Sequence, residues 1–319
     1  MKLNGVEIED TYCEAFGCYF SRVLVTAKNK NWLDIASQVT TGYGTSTIHC
    51  DSEAGVDIYV PADKTPDKRP GVILMFCVTA RSREEDGKKI TEKEVAEKKI
   101  DAVMLNRIGQ CVLTCPTTAV FDAFNGSVDP AKEFQVKTGF KLKFFGDKFE
   151  EKIEGKFPFE AWKIPVMDGE FVCQSILKSG KGIAGGNFII IGKTQDAALQ
   201  AAEKAVEAIK PLENIIMPFP GGIARSGSKV GSKYNFLNAS TNDPLCPTLR
   251  TKIQNSLLKE GDNCVYEVII DGATEEAVKK AIKKGIEAAT KVSGLNRISA
   301  GNYGGKLGKF QYKLHDVLK

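Results

Sequence analysis

One series of segments occurs twice in the C-terminal half of this chain, and it restricts the fold more than any other feature. Residues 188–191 (FIII) form a short apolar run, followed by the helical stretch TQDAALQAAEKAVEAIK, a second apolar run NIIMPF and the glycine turn PGG. Residues 265–270 (VYEVII) open the same series, with TEEAVKKAIKKGIEAATK, then RISAGN, then Gly304 and Gly305. In the second helix Val278, Ala281, Ile282, Gly285, Ile286 and Ala289 recur at the i, i+3, i+4 spacing of a single buried face. Thr274 is a suitable N-cap, with Glu275 and Glu276 in the first turn, where the helix dipole favours anions. Two strand–helix–strand units of this kind make up a ferredoxin-like α+β layer.

The N-terminal half carries weaker echoes. RVLVTA (22–27) precedes the helix-like NWLDIASQVT and then TSTIHC; GVILMFCVTA (71–80) precedes a charged helical run to Arg107 and then CVLTCP. Part of that run, RSREEDGKKITEKEVAEKKID (81–101), reads as a solvated helical insert. Between the halves lies DKFEEKIEGKFPFE (147–160), charged and punctuated by glycine and proline, as lobe connections are. At 319 residues the chain exceeds what one core usually holds. The expected fold class is α+β, with two similar ferredoxin-like lobes at residues 1–160 and 161–319 that arose by duplication.

Bulk properties exclude several function classes. A net charge of +4 gives no case for a dedicated nucleic-acid or membrane surface, and no stretch approaches the apolar length that spans a bilayer. The opening MKLNGVEIED lacks a hydrophobic signal core, which predicts a cytoplasmic protein. Nine cysteines without a C-x-x-C pair, and only His49 and His315 to complete a metal site, predict reduced thiols and no metal centre. The two histidines read as packing or hydrogen-bonding residues.

Chemistry is expected where Gly, Ser, Thr and Asn crowd the ends of the apolar runs. The loops are TTGYGTST (40–47), GKGIAGGN (180–187), PFPGGIARSGSKVGSK (218–233), NASTNDPLCPT (238–248) and AGNYGGKLGK (300–309). Glycine lets backbone approach a ligand and exposes N–H donors, and Arg225, Lys229, Lys233, Lys306 and Lys309 could meet carboxylates or a phosphate. Nucleotide motifs fail: Gly222 and Gly227 have P-loop spacing, but Ser228 stands where the lysine belongs, and GYGTST lacks the third glycine of a dinucleotide fingerprint. The GXXG at 305–308 follows a strand and does not join two helices, so an RNA-binding reading is weak. Glu267, inside VYEVII, has two readings. It is a solvated residue if the sheet has a wet face. It is an acid/base group if its surroundings are apolar, because burial raises a carboxyl pKa and a neutral acid can donate to an oxyanion.

The loops themselves carry a resemblance. GVEIEDTYCEAF, TGYGTST, RIGQCVLTCPTTAVFDA, GIAGGNF, PFPGGI, SKVGSK, ASTND, CVYEVIIDG and ISAGNYGGKLGK, spread over nearly the whole chain, resemble formylmethanofuran:tetrahydromethanopterin formyltransferase. The resemblance implies transfer of a formyl group from methanofuran to N5 of tetrahydromethanopterin, both carriers being substrates, with no prosthetic group or metal. It also implies two ferredoxin-like lobes, assembly into homodimers and tetramers, and Glu267 as the catalytic carboxyl. Around it, the backbone N–H groups of Gly186 and Asn187, and of Gly221 and Gly222 in the turn that Pro220 opens, are expected to donate to the formyl or oxyanion oxygen. Ser226, Ser228, Lys229 and Ser232 are expected to meet the anionic carrier tails. Arg225 departs from the family's small residue at that point. Other readings are transfer to a different pterin, the formate-forming direction, and a non-catalytic homologue within a hydrolase–transferase complex.

Overall fold

The computed structural model describes residues 1–45, 50–225, 227–237 and 239–319. His49 and Ser226 lie outside them. The first lobe is built from β1 (Tyr12–Thr26), α1 (Lys30–Thr45), β2 (Glu53–Val60), β3 (Gly71–Val78), α2 (Glu92–Arg107) and β4 (Ala119–Asp122). The second repeats the pattern with β5 (Leu177–Gly192), α3 (Gln195–Ile209), β6 (Ile215–Ile216), β7 (Cys264–Gly272), α4 (Glu275–Ala289) and β8 (Leu295–Ser299). Strand order is β2-β3-β1-β4 in the first lobe and β6-β7-β5-β8 in the second, every pair antiparallel. Both are the ferredoxin-like arrangement, in which the first and third strands sit centrally.

Helix α4 follows its sequence closely. All six residues of its apolar stripe are buried, and Thr274 Oγ1 accepts from Ala277 N at 3.2 Å. α3 is capped the same way by Thr194. These helices cover one face of the second sheet, where Phe188, Ile190, Tyr266, Val268 and Ile270 complete the core. The strands' other face carries Glu267, and it is the face on which the site forms.

The first lobe departs from expectation in two places. The charged stretch 81–101 is not one helix: Arg83–Glu85 and Lys88–Ile90 pair as a hairpin, and α2 begins only at Glu92. Asp86 and Gly87, both at positive φ, make the turn, a conformation that Asp-Gly adopts readily. Nor is α2 an insert, since Val95 is buried and Ala96, Ile100, Val103 and Met104 belong to the lobe's core. The strand expected at CVLTCP is displaced to Ala119–Asp122, because residues 108–112 continue as a wide helical turn.

Two strands are much longer than the rest and tie the lobes together. β1 pairs through Phe16–Ser21 with Ser179–Ala184 of β5, so a single sheet runs through both halves. Strand pairing also carries the first lobe's sheet beyond residue 160: Gly169–Gln174 runs parallel to β4 and antiparallel to Ala161–Val166. Across the seam, buried Arg22 holds Asp57 at 2.7 Å, and Asp57 Oδ1 accepts from Asn214 N at 2.7 Å.

Candidate active site

Glu267 faces a cavity of about 340 Å³ formed where two loops meet the open face of β7. Directly across the ladder lies Ile189, and the carboxyl's neighbours on that face are Val265 and Leu245. Little in this setting replaces water around a charge. Burial accordingly pushes the Glu267 carboxyl up from its ordinary 4.5 to about 7.

The loop after PGG forms the outer wall. Ala224 bridges to Glu267 through two backbone bonds, N–H to Glu267 O at 2.8 Å and Glu267 N–H to Ala224 O at 3.1 Å. Gly227 follows, and a Cβ added there would stand 3.1 Å from Glu267 Oε2. A side chain at 227 would thus press on the carboxyl, which would have to give by a few tenths of an ångström. Thr241, Asn242, Cys246, Pro247 and Thr248 close the far side, with exposed Arg225 at the rim.

A second cavity of about 650 Å³ shares Ile189, Asn242 and Leu245 with the first. Tyr303, Lys229 and Lys306 also line it. Burial, then the nearby Glu267 charge, pushes the Tyr303 phenol up to about 12, so it keeps its proton at neutral pH. Lys229 is ion-paired with Asp243, which holds that carboxyl below its usual range. Lys306 is exposed and has no ion-pair partner among the described residues.

Other residues singled out in the sequence lie elsewhere or are engaged differently. Gly186 and Asn187 are ladder positions opposite Ile270 and Ile269; a Cβ at Gly186 would meet Val278 at 2.4 Å, which marks helix packing. The Asn187 carboxamide bonds Gly185 O at 3.0 Å and Gly301 N at 2.6 Å. Pro220–Gly222 is a short turn whose Gly222 N–H is held by Phe219 O at 2.7 Å. Gly221 and Gly222 line a separate groove of about 560 Å³ between the lobes, with Tyr59 and Met217. Ser228 pairs with Thr241 in a hairpin, and Ser232 Oγ accepts from Tyr234 N near its tip. Tyr303, Asn242 and Leu245 were not singled out individually, although both loops that carry them were. Among the described residues no three His, Cys, Asp or Glu side chains gather as a metal site requires, and no helix is long and apolar enough to cross a membrane.

Comparison with known proteins gives relatives that match nearly the whole chain. A family model described as formylmethanofuran-tetrahydromethanopterin formyltransferase matches residues 1–166, and one described as the FTR proximal lobe matches residues 169–317. A curated formyltransferase of that name from Methanothermus fervidus is 50% identical, aligned over 99% of this chain and 100% of its own length. Among solved structures, the Methanosarcina barkeri formyltransferase superposes with a TM-score of 0.88 at 45% identity, covering 99% of this chain and 100% of that one. The formyltransferase/hydrolase complex from Methylorubrum extorquens, solved with methylofuran, gives 0.87 at 38% identity over 100% of this chain and 99% of the other.

Proposed function

The chain belongs to the formylmethanofuran–tetrahydromethanopterin formyltransferase family, and on that premise we propose that it moves a formyl group between these two C1 carriers with Glu267 as the catalytic acid. The observation that carries the reading is the half-buried Glu267 carboxyl, aimed into a cavity that opens onto a second one large enough for part of a carrier. Such cavities hold a ligand's reacting end when a few polar groups converge in apolar walls.

In the reaction the pterin N5 lone pair attacks the formamide carbon, and the carbonyl oxygen takes up the negative charge. A protonated Glu267 donates a hydrogen bond to that oxyanion. The C–N bond to the furan-side nitrogen then breaks, and the proton given up by N5 ends on the departing amine. Holding both carriers with reacting atoms about 3–3.5 Å apart supplies much of the acceleration. A carboxyl that titrates near 7 keeps a neutral fraction at working pH, as this role requires.

Lys306, on the wall of the larger cavity, and Arg225, at the rim of the smaller, are suited to the carriers' anionic tails. Ser226, Ser228, Lys229 and Ser232 stay in the same proposal as tail contacts of the 224–233 loop. Gly186, Asn187 and Pro220–Gly222 are left as backbone walls more than as donors, since several of their polar groups are engaged within the chain. No prosthetic group or metal enters the scheme, and the reaction is assigned to the cytoplasm. The exposed Tyr234, Phe236 and Leu237 at the tip of the site hairpin support assembly as a homo-oligomer, a dimer of dimers. A second reading, a transferase subunit of a hydrolase complex, draws on the Methylorubrum relative.

Purified protein given formylmethanofuran and tetrahydromethanopterin should form the N5-formyl product, followed by absorbance. Glu267→Gln should lower kcat by about 10²–10³, the usual cost of removing one oxyanion donor. Wild-type turnover in that variant would remove Glu267 from the mechanism. Sedimentation of the protein alone separates a homo-oligomer from a subunit that assembles only with hydrolase chains.

A further inference from the structure

The glycine-rich loop NYGGKLGK (302–309) has the composition of an anion cradle, with successive backbone N–H groups turned to one point. The chain fills that cradle itself. Glu14, on β1 and fully buried, accepts from Tyr303 N and Gly305 N at 2.6 Å on Oε1. Its Oε2 accepts from Leu307 N at 2.8 Å and Gly308 N at 3.4 Å. Burial alone would raise the Glu14 pKa, but the four donors outweigh it and hold the carboxyl below its ordinary range.

The loop is pinned at further points. Glu14 N–H bonds Gly301 O at 3.1 Å, and Asn187 Oδ1 accepts Gly301 N at 2.6 Å. Gly308 lies so close to β1 that a Cβ would stand 2.1 Å from Ala15 O. What this fastening holds in place is Tyr303 and Leu307, both on the wall of the 650 Å³ cavity that adjoins Glu267. Asn242, Leu245 and Ile189 line both cavities, so a displaced 303–308 loop would open a path for water toward the carboxyl.

We propose that Glu14 is a positioning residue for formyl transfer: its carboxylate holds the 303–308 loop in the shape that walls Glu267 off from water. The inference rests on the reading of Glu267 as the catalytic acid. It assigns to Glu14 no contact with either carrier. Replacing the charged acceptor by an amide puts an NH₂ group against N–H donors, and the loop loosens.

The test compares the full chain with Glu14→Gln, Gly305→Ala and Glu267→Gln. Gly305 has φ +77°, so alanine there strains the same loop while the Glu14 carboxylate itself is kept. Transfer rates are measured against pH, and Glu267 is titrated directly by carboxyl ¹³C NMR on glutamate-labelled protein, the Glu267→Gln variant assigning its resonance. In Glu14→Gln, kcat should fall roughly tenfold and the alkaline limb move to lower pH, because water returning to the carboxyl lowers its pKa. Gly305→Ala should move both in the same direction, and it decides the matter alone if Glu14→Gln does not fold. An unmoved Glu267 titration and alkaline limb, whatever the melting temperatures, would overturn the proposal. Failure of the acid reading is seen separately, as Glu267→Gln that still transfers at the wild-type rate.

Discussion

Replacing the Glu267 carboxyl by an amide of equal shape separates its charge from its packing, and pH makes the difference visible. The acid acts in its neutral form, so kcat should be flat below about pH 6 and decline as pH rises through the carboxyl's pKa of about 7. Stability carries the same signature. The folded pKa of about 7 lies above the ordinary 4.5, so the contribution of the neutral carboxyl is full below about pH 4.5 and is lost as pH rises through 7. That loss is on the order of 3 kcal/mol. Glu267→Gln, which never ionises, should melt higher than wild type at about pH 8 and no higher at about pH 4, read by calorimetry at both pH values. Equal melting at both would mean that the wild-type carboxyl is solvated. The strand pattern left that alternative open, because alternation places Glu267 on a face without saying what covers the face. Direct cover comes from Ala224, Arg225, Gly227 and residues 241–248, with Tyr303 and Leu307 on the adjoining cavity; all lie at least 19 positions away in sequence, and no local signal reports it. The same distance hides Glu14: nothing around CEAF indicates that four N–H groups some 290 residues later converge on it.

At the scale of elements, periodicity was informative where one face is apolar and misleading where charge dominates. α4 could be read residue by residue because its stripe is strict. The hairpin at 83–90 was hidden among charged residues with no apolar alternation, and only its Asp-Gly turn marked it. The close packing of α4 gives a sharp test, since two effects oppose each other at Gly285. Helix propensity favours alanine over glycine by about 1 kcal/mol. Against it, a Cβ at Gly285 would lie 2.6 Å from Phe188 Cζ and 2.8 Å from Ile209 Cδ1, both in the core. Overpacking of that kind costs about 1–3 kcal/mol, so the clash wins. Gly285→Ala should therefore lower the urea midpoint without changing the slope. A raised midpoint would mean that the helix can lift off the sheet at little cost.

For the whole molecule, the shared strands matter more than the duplication. Two copies of a ferredoxin-like unit joined by a linker would unfold independently. Here β1 and β5 each run through both sheets, and Arg22, Asp57 and Asn214 lock the seam, so neither lobe can lose its central strand without exposing the other's edge. The chain's two tryptophans, Trp32 and Trp162, both pack against the first lobe's core, which makes their fluorescence a reporter of that lobe. Ile282 is fully buried in the second lobe's core. Ile282→Ala should cost about 2–5 kcal/mol. If the molecule is one cooperative unit, this change in the second lobe should shift the tryptophan transition in urea by as much as the far-ultraviolet circular dichroism transition. A tryptophan curve that stays at the wild-type midpoint while the circular dichroism curve splits in two would mean that the shared strands do not couple the lobes.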